Sequence, residues 1–76
     1  MSLFPALKSK EVIKILLKAG FKIVRQSGSH IRLQHILDST RQTTVPLHNS
    51  DIPKWLLGKI LKQAKINAKD FLNLLK

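Results

Sequence analysis

The chain has 76 residues, a length that fits one small domain and not two. Fourteen Lys and Arg against four Asp and Glu give a formal net charge of +10, with a sequence pI near 10.6, and there is no cysteine. These counts exclude a disulfide framework, a thiolate nucleophile and a Cys-based zinc site, and no apolar run approaches the ~18 residues of a membrane span.

Hydrophobic residues make up 43% of the chain and recur at structural periods, so a folded core is expected in place of disorder. A domain this small buries only ~60% of its unfolded surface and holds about 3–5 kcal/mol of stability. Residues 1–8, broken by Pro5, read as a flexible N-terminal arm, and 9–76 as the single domain. The opening Met1-Ser2-Leu3-Phe4-Pro5 lacks the basic region and long apolar stretch of a signal peptide, which makes a cytoplasmic location the expectation.

Ser9 is placed to cap a helix running to Ala19, with Gly20 as its left-handed stop. Helical spacing gathers Val12, Ile13, Leu16 and Leu17 on one face and Lys10, Lys14 and Lys18 on the other. Three strands are predicted next. Phe21–Gln26 and His30–His35 flank a Ser27-Gly28-Ser29 hairpin loop, and Gln42–Leu47 follows the polar turn Asp38-Ser39-Thr40-Arg41. Period-two alternation puts Phe21 with Ile23, Ile31 with Leu33, and Thr43 with Val45 and Leu47 on one side each. The other side of the second strand reads His30, Arg32, Gln34 and should be wet.

A second helix begins near Pro53 with Asp51 as its cap, and Leu56, Leu57, Ile60, Leu61 and Ala64 form its buried stripe. A last short helix starts at about Ala68, with Asn67 and Asp70 in an N-cap and N3 arrangement and Phe71, Leu74 and Leu75 on its apolar face. The order α-β-β-β-α-α predicts an α+β fold of two layers, with helices covering one face of a three-stranded antiparallel sheet.

A field of +10 attracts polyanions, and Lys and Arg gain affinity for nucleic acid by displacing condensed counterions. Lysines that only solvate helix backs are the plainer account, but a high pI in so small a domain favours nucleic-acid binding. A basic membrane-surface peptide would share the charge; the strand-rich middle argues against it, so no membrane partner is expected. On the second helix Trp55 lies off the apolar stripe, near the angles of Lys59 and Lys62. These three could stack on a base or anchor a protein partner. Alternatively, a first-turn Trp folds back onto its own domain. Both readings stand at this point, and at least partial exposure of Trp55 is the expectation.

The four acids, Glu11, Asp38, Asp51 and Asp70, are scattered, and two are committed to caps, so a two-metal nuclease site is not expected. Gly20, Gly28 and Gly58 are isolated, which leaves no phosphate-binding glycine loop. Neither metal nor cofactor is called for. Histidine remains. His30 and His35, five residues apart, point to opposite faces of a regular strand, and His35 reads as structural or surface. His48, after Val45-Pro46-Leu47, carries little functional weight. His30 starts a strand just after a tight turn and shares its face with Arg32. Imidazole titrates near neutrality, so it can take a ribose 2′-hydroxyl proton and let that oxygen attack the adjacent phosphate, with nearby cations stabilising the developing charge. Spacing alone makes this a weak signal, because a lone strand histidine is more often inert.

The run Ser9-Lys10-Glu11-Val12-Ile13, Ala19-Gly20-Phe21, Arg25-Gln26-Ser27-Gly28-Ser29-His30, Val45-Pro46-Leu47-His48 and Ile60-Leu61-Lys62-Gln63-Ala64 resembles the HicA (YcfA-like) family of toxins from type II toxin–antitoxin pairs. The likeness spans roughly residues 8–75, and its most specific pieces are Gly20-Phe21 and Gly28-Ser29-His30. It implies a double-stranded-RNA-binding-like fold, metal-independent cleavage of mRNA, growth arrest, and control by a HicB-type antitoxin. It makes His30 the catalytic general base or acid, presented by a turn that Gly28 and Ser29 shape. Lys22, Arg25 and Arg32, close in strand order, are the expected phosphate contacts, with Ser29 beside them. The chain departs from the family in the turn between strands two and three, which lacks the usual glycine. Trp55-Leu56 stands where Gly-Thr is common, and Lys65 where a helix-ending glycine is common. A non-catalytic RNA-binding module of the same fold is the alternative. A DNA-binding repressor is weaker still, since no helix-turn-helix pairing is visible.

Overall fold

A computed structural model describes residues 6–47 and 50–75. Its elements run α1 (Ser9–Lys18), β1 (Phe21–Ser27), β2 (His30–His35), β3 (Gln42–Pro46), α2 (Lys54–Ala64) and α3 (Ala68–Leu74). The three strands form one antiparallel sheet in the order β1-β2-β3. α1 packs against β1 and β3, α2 against β3, and α3 against α1. This is the expected α+β arrangement, and its α-β-β-β-α portion matches the double-stranded-RNA-binding-like order.

The core lies between helices and sheet, with Val12, Leu16, Leu33, Val45, Ile60 and Phe71 sealed from solvent. Among the described residues every buried side-chain polar atom has a hydrogen-bond partner. No helix among them is long and apolar enough to cross a membrane. Residues upstream of α1 also join the packed structure. Leu7 is buried, and its carbonyl accepts a bond from the Ile52 N–H at 2.8 Å, beside a backbone bridge between Lys8 and Asp51.

Three helix details differ from expectation. The cap of α1 is Lys8, whose N–H donates to the Glu11 carboxylate at 3.0 Å. Ser9 is the first helical residue. Its buried hydroxyl donates to the Pro46 carbonyl at 2.6 Å, pinning α1 to the end of β3. The buried stripe of α1 is Val12, Ile15 and Leu16, and Leu17 is 46% exposed. A wheel shows which residues share a face but not how the helix rolls onto its sheet. Asp51 does not cap α2: it lies two residues before the cap position, its backbone bridged to Lys8, and Pro53 takes the cap, its carbonyl accepting from the Leu56 and Leu57 N–H groups.

Other signals are realised directly. Gly20 has φ +97°, and a Cβ there would meet the His35 ring at 3.0 Å, so both backbone and neighbour demand glycine at the helix stop. Asn67 accepts a bond from the Asp70 N–H at 2.8 Å and starts α3. At the end of α2, Lys65 adopts the left-handed conformation, φ 58°, that the family resemblance assigns to glycine.

Candidate nucleic-acid interface

Alternation along β2 sends Ile31 and Leu33 into the core and leaves His30 and Arg32 exposed on the opposite face. On β3, Thr43 and Val45 are buried while Gln42, Thr44 and Pro46 take the open side. Residues paired across an antiparallel ladder share a face. The pairs His30–Pro46, Arg32–Thr44 and Gln34–Gln42 therefore form one continuous open surface.

β1 extends that surface by an irregularity that plain alternation misses. Lys22 and Arg25 are three residues apart and would face opposite ways on a regular strand. The register shifts between Ile23 and Arg25, so Lys22 pairs with Gln34 and Arg25 with Arg32. The bulge at Val24 returns Arg25 to the open face. Lys22, Arg25 and Arg32, the three cations expected to meet phosphate, are exposed and share one side of the sheet.

The β1–β2 turn is tighter than expected. Ser27 pairs with His30, leaving Gly28 and Ser29 as a two-residue loop, with Gly28 at φ +57°. The Leu47 N–H donates to the Ser29 carbonyl, so the end of β3 clamps the turn from its far side. His30 is thus held by a strand pair on each flank while its ring stays exposed.

An open groove of about 670 Å³ runs between this face and α2. His30, Pro46 and Leu56 line one end, Arg32, Thr44, Lys59 and Ile60 the middle, and Thr40, Gln42 and Gln63 the other end. The Arg32 guanidinium donates to Thr44 Oγ1 at 3.1 Å and to Gln42 Oε1 at 2.6 Å. Both partners are neutral, so they fix the fork without cancelling its charge. A guanidinium has five N–H donors, and three remain for an anion. Lys59 brings a second cation to the groove from the helix side. At the Thr40 rim, the Thr40 hydroxyl, followed by the Thr40 N–H, holds the Asp38 carboxyl below its ordinary range.

Trp55 is 71% exposed, as expected, and Lys62 is exposed with it; neither lines the groove. His35 is structural: its ring stands edge-on to Phe21 at 5.1 Å, and its Nδ1 accepts from the Leu37 N–H. His48 lies outside the described residues. Among the described residues no cluster of three or more His, Cys, Asp or Glu could hold a metal ion. Sequence reasoning did not find Gln42 and Thr44 as the supports of Arg32, nor Thr40 and Gln63 as groove residues. Only the Arg32–Thr44 pairing carried a signal, had the β2–β3 register been known.

No curated relative matches the chain. A family model described as the HicA toxin of bacterial toxin–antitoxin systems matches residues 9–66, from the first residue of α1 to the second residue after α2. That span holds the whole sheet, the His30 turn and the helix that closes the groove. The chain therefore belongs to the HicA toxin family, the toxin half of a toxin–antitoxin pair that implies an antitoxin partner.

Proposed function

We propose that the protein is a metal-independent endoribonuclease that cleaves mRNA, with His30 as its general base. The single observation that carries this reading is the exposed His30 ring at the end of a groove that also holds Arg32 and Lys59. The RNA backbone lies along the open face. Lys22, Arg25 and Arg32 contact phosphates from the sheet side, the Ser29 hydroxyl bonds beside the turn, and Lys59 contacts phosphate from the helix side. His30 takes the proton of a ribose 2′-hydroxyl, and that oxygen forms a bond to the adjacent phosphorus. The P–O bond to the next nucleotide's 5′-oxygen breaks, and the departing oxygen takes a proton from water, leaving a 2′,3′-cyclic phosphate. Fixed cations beside the phosphate stabilise the extra negative charge of the pentacoordinate state, the interaction that most lowers such barriers. The reaction would occur in the cytoplasm, where mRNA is met. A HicB-type antitoxin would restrain it, and the exposed Trp55-Lys59-Lys62 edge of α2 offers such a partner an aromatic anchor beside the groove.

The test is incubation of purified protein with mRNA in the presence of EDTA. The wild type should cleave and yield cyclic phosphate ends. His30→Ala should lose about 10²–10⁴-fold in rate while RNA affinity and melting temperature stay near wild type. Intact RNA with the wild type would leave a non-catalytic RNA-binding module on the same fold, and cleavage by His30→Ala at the wild-type rate would remove His30 from the chemistry.

A further inference from the structure

The groove has a second end, opposite His30, where α2 meets β3. Thr43 is buried there, and its hydroxyl donates to Gln63 Oε1 at 3.0 Å. A buried hydroxyl proton needs an acceptor, so this bond fixes which end of the Gln63 carboxamide faces β3. Gln63 itself is exposed and lines the groove, and its amide nitrogen has no partner among the described residues. The neighbouring amide, Gln42, is committed at both ends, accepting from Arg32 and donating to the Ser39 carbonyl at 2.6 Å. The Thr40 hydroxyl donates to Asp38 and accepts from Lys65. Of these three side chains, Gln63 alone keeps both amide N–H groups uncommitted among the described residues.

We infer that Gln63 is a specificity-determining residue, selecting a nucleotide base with an exposed acceptor edge at a position neighbouring the scissile phosphate. This rests on the proposed RNA-cleaving reading and adds to it which bases are cut beside. A free glutamine pairs with adenine by accepting from N6–H and donating to N7. With Oε1 drawn toward Thr43 on the β3 side, Gln63 turns its two N–H donors toward the groove. Guanine sets two acceptors, O6 and N7, side by side against such a pair of donors and uracil offers O4, whereas adenine has an N6 amino donor beside its N7 acceptor and cytosine an N4 amino donor. Thr43 and Pro46 are three residues apart on β3, and Pro46 pairs with His30, so Gln63 is offset from the reacting end by about 10 Å along the strand direction. That offset corresponds to about three stacked nucleotides, so the base read is near the cut.

Cleavage junctions in an RNA library with randomised positions test this directly. The wild type should enrich guanine or uracil over adenine by roughly tenfold at one fixed offset from the cut. Gln63→Ala should erase that enrichment while cutting continues. Thr43→Val, which frees Oε1 without touching the groove wall, should admit adenine. An unchanged base preference in Gln63→Ala would overturn the inference and leave the ribonuclease reading intact. Should the wild type cut nothing, the ribonuclease reading fails and binding decides the inference. His30→Ala protein should then hold oligouridylate more tightly than oligoadenylate, with the difference abolished in His30→Ala/Gln63→Ala. Equal binding of the two oligonucleotides would overturn it.

Discussion

The two faces of the sheet are made from alternate residues of the same strands, yet one is dry and the other cationic. On β2, Ile31 and Leu33 belong to the core, while His30 and Arg32, each one residue earlier, belong to the groove. A one-residue slip would exchange the two sets, so the packing that fixes register also aims the chemistry. Stability and function are therefore separable by face. The largest expected effect lies on the dry side. Leu33→Ala should cost about 2–5 kcal/mol, comparable with the roughly 3–5 kcal/mol a domain of this size holds. Circular dichroism should find much of that variant unfolded at 37 °C, and a native-like melt would contradict a core centred on Leu33.

The same operation one residue away should spare the fold. Arg32→Ala removes an exposed side chain bonded, among the described residues, only to Thr44 and Gln42, so stability should change by about 0.5 kcal/mol or less. RNA affinity should fall. On single strands, the slope of log affinity against log salt should shrink by about 0.7 for each phosphate that is no longer neutralised. Arg32→Lys sharpens the point: it keeps the charge but not the fork that Thr44 and Gln42 hold, and should recover only part of the affinity. An Arg32→Ala variant that melts like Leu33→Ala would break the division between faces.

Deleting Val24 probes how the faces are kept apart on β1. Removing the bulged residue leaves Phe21, Lys22, Ile23 and Arg25 opposite the same partners, now in a regular ladder. Arg25 should remain on the open face, with the salt slope of RNA binding unchanged. A reduced slope would mean that the local twist of the bulge, beyond its register, aims Arg25 at phosphate.

What the sequence disclosed follows from the range of the forces involved. Gly20 as a helix stop, the Asn67–Asp70 cap and the wet side of β2 depend on residues within a few positions, and each was legible. Ser9 looks like a cap locally, but the distant Pro46 carbonyl claims its hydroxyl, and Asp51, its backbone bridged to the distant Lys8, falls two residues short of the cap position. The bulge at Val24 is defined by the neighbouring strand and leaves no local mark. The His30 end of the site was readable from its turn. The Gln63 end exists only because α2 lies along β3, so no spacing within either element announces it.

Lys65 sets a local backbone conflict against a hydrogen bond at the groove rim, and carries the smallest expected effect. Its φ of 58° costs a residue with a Cβ roughly 1 kcal/mol relative to glycine. Against that, Lys65 Nζ donates to Thr40 Oγ1 at 2.9 Å, tying the end of α2 to the β2–β3 turn. The bond is exposed, and a net contribution near 0.5 kcal/mol is typical at best. Glycine also widens the unfolded ensemble, which offsets part of the relieved strain. Lys65→Gly should therefore stabilise the fold by no more than about 0.5 kcal/mol, a rise of a few degrees in melting temperature for a domain of this length. Lys65→Ala separates the two effects, since it drops the bond to Thr40 and keeps the strain, and should melt below wild type. If Lys65→Gly also melts below wild type, the tether to Thr40 outweighs the backbone strain, and the groove rim contributes to stability.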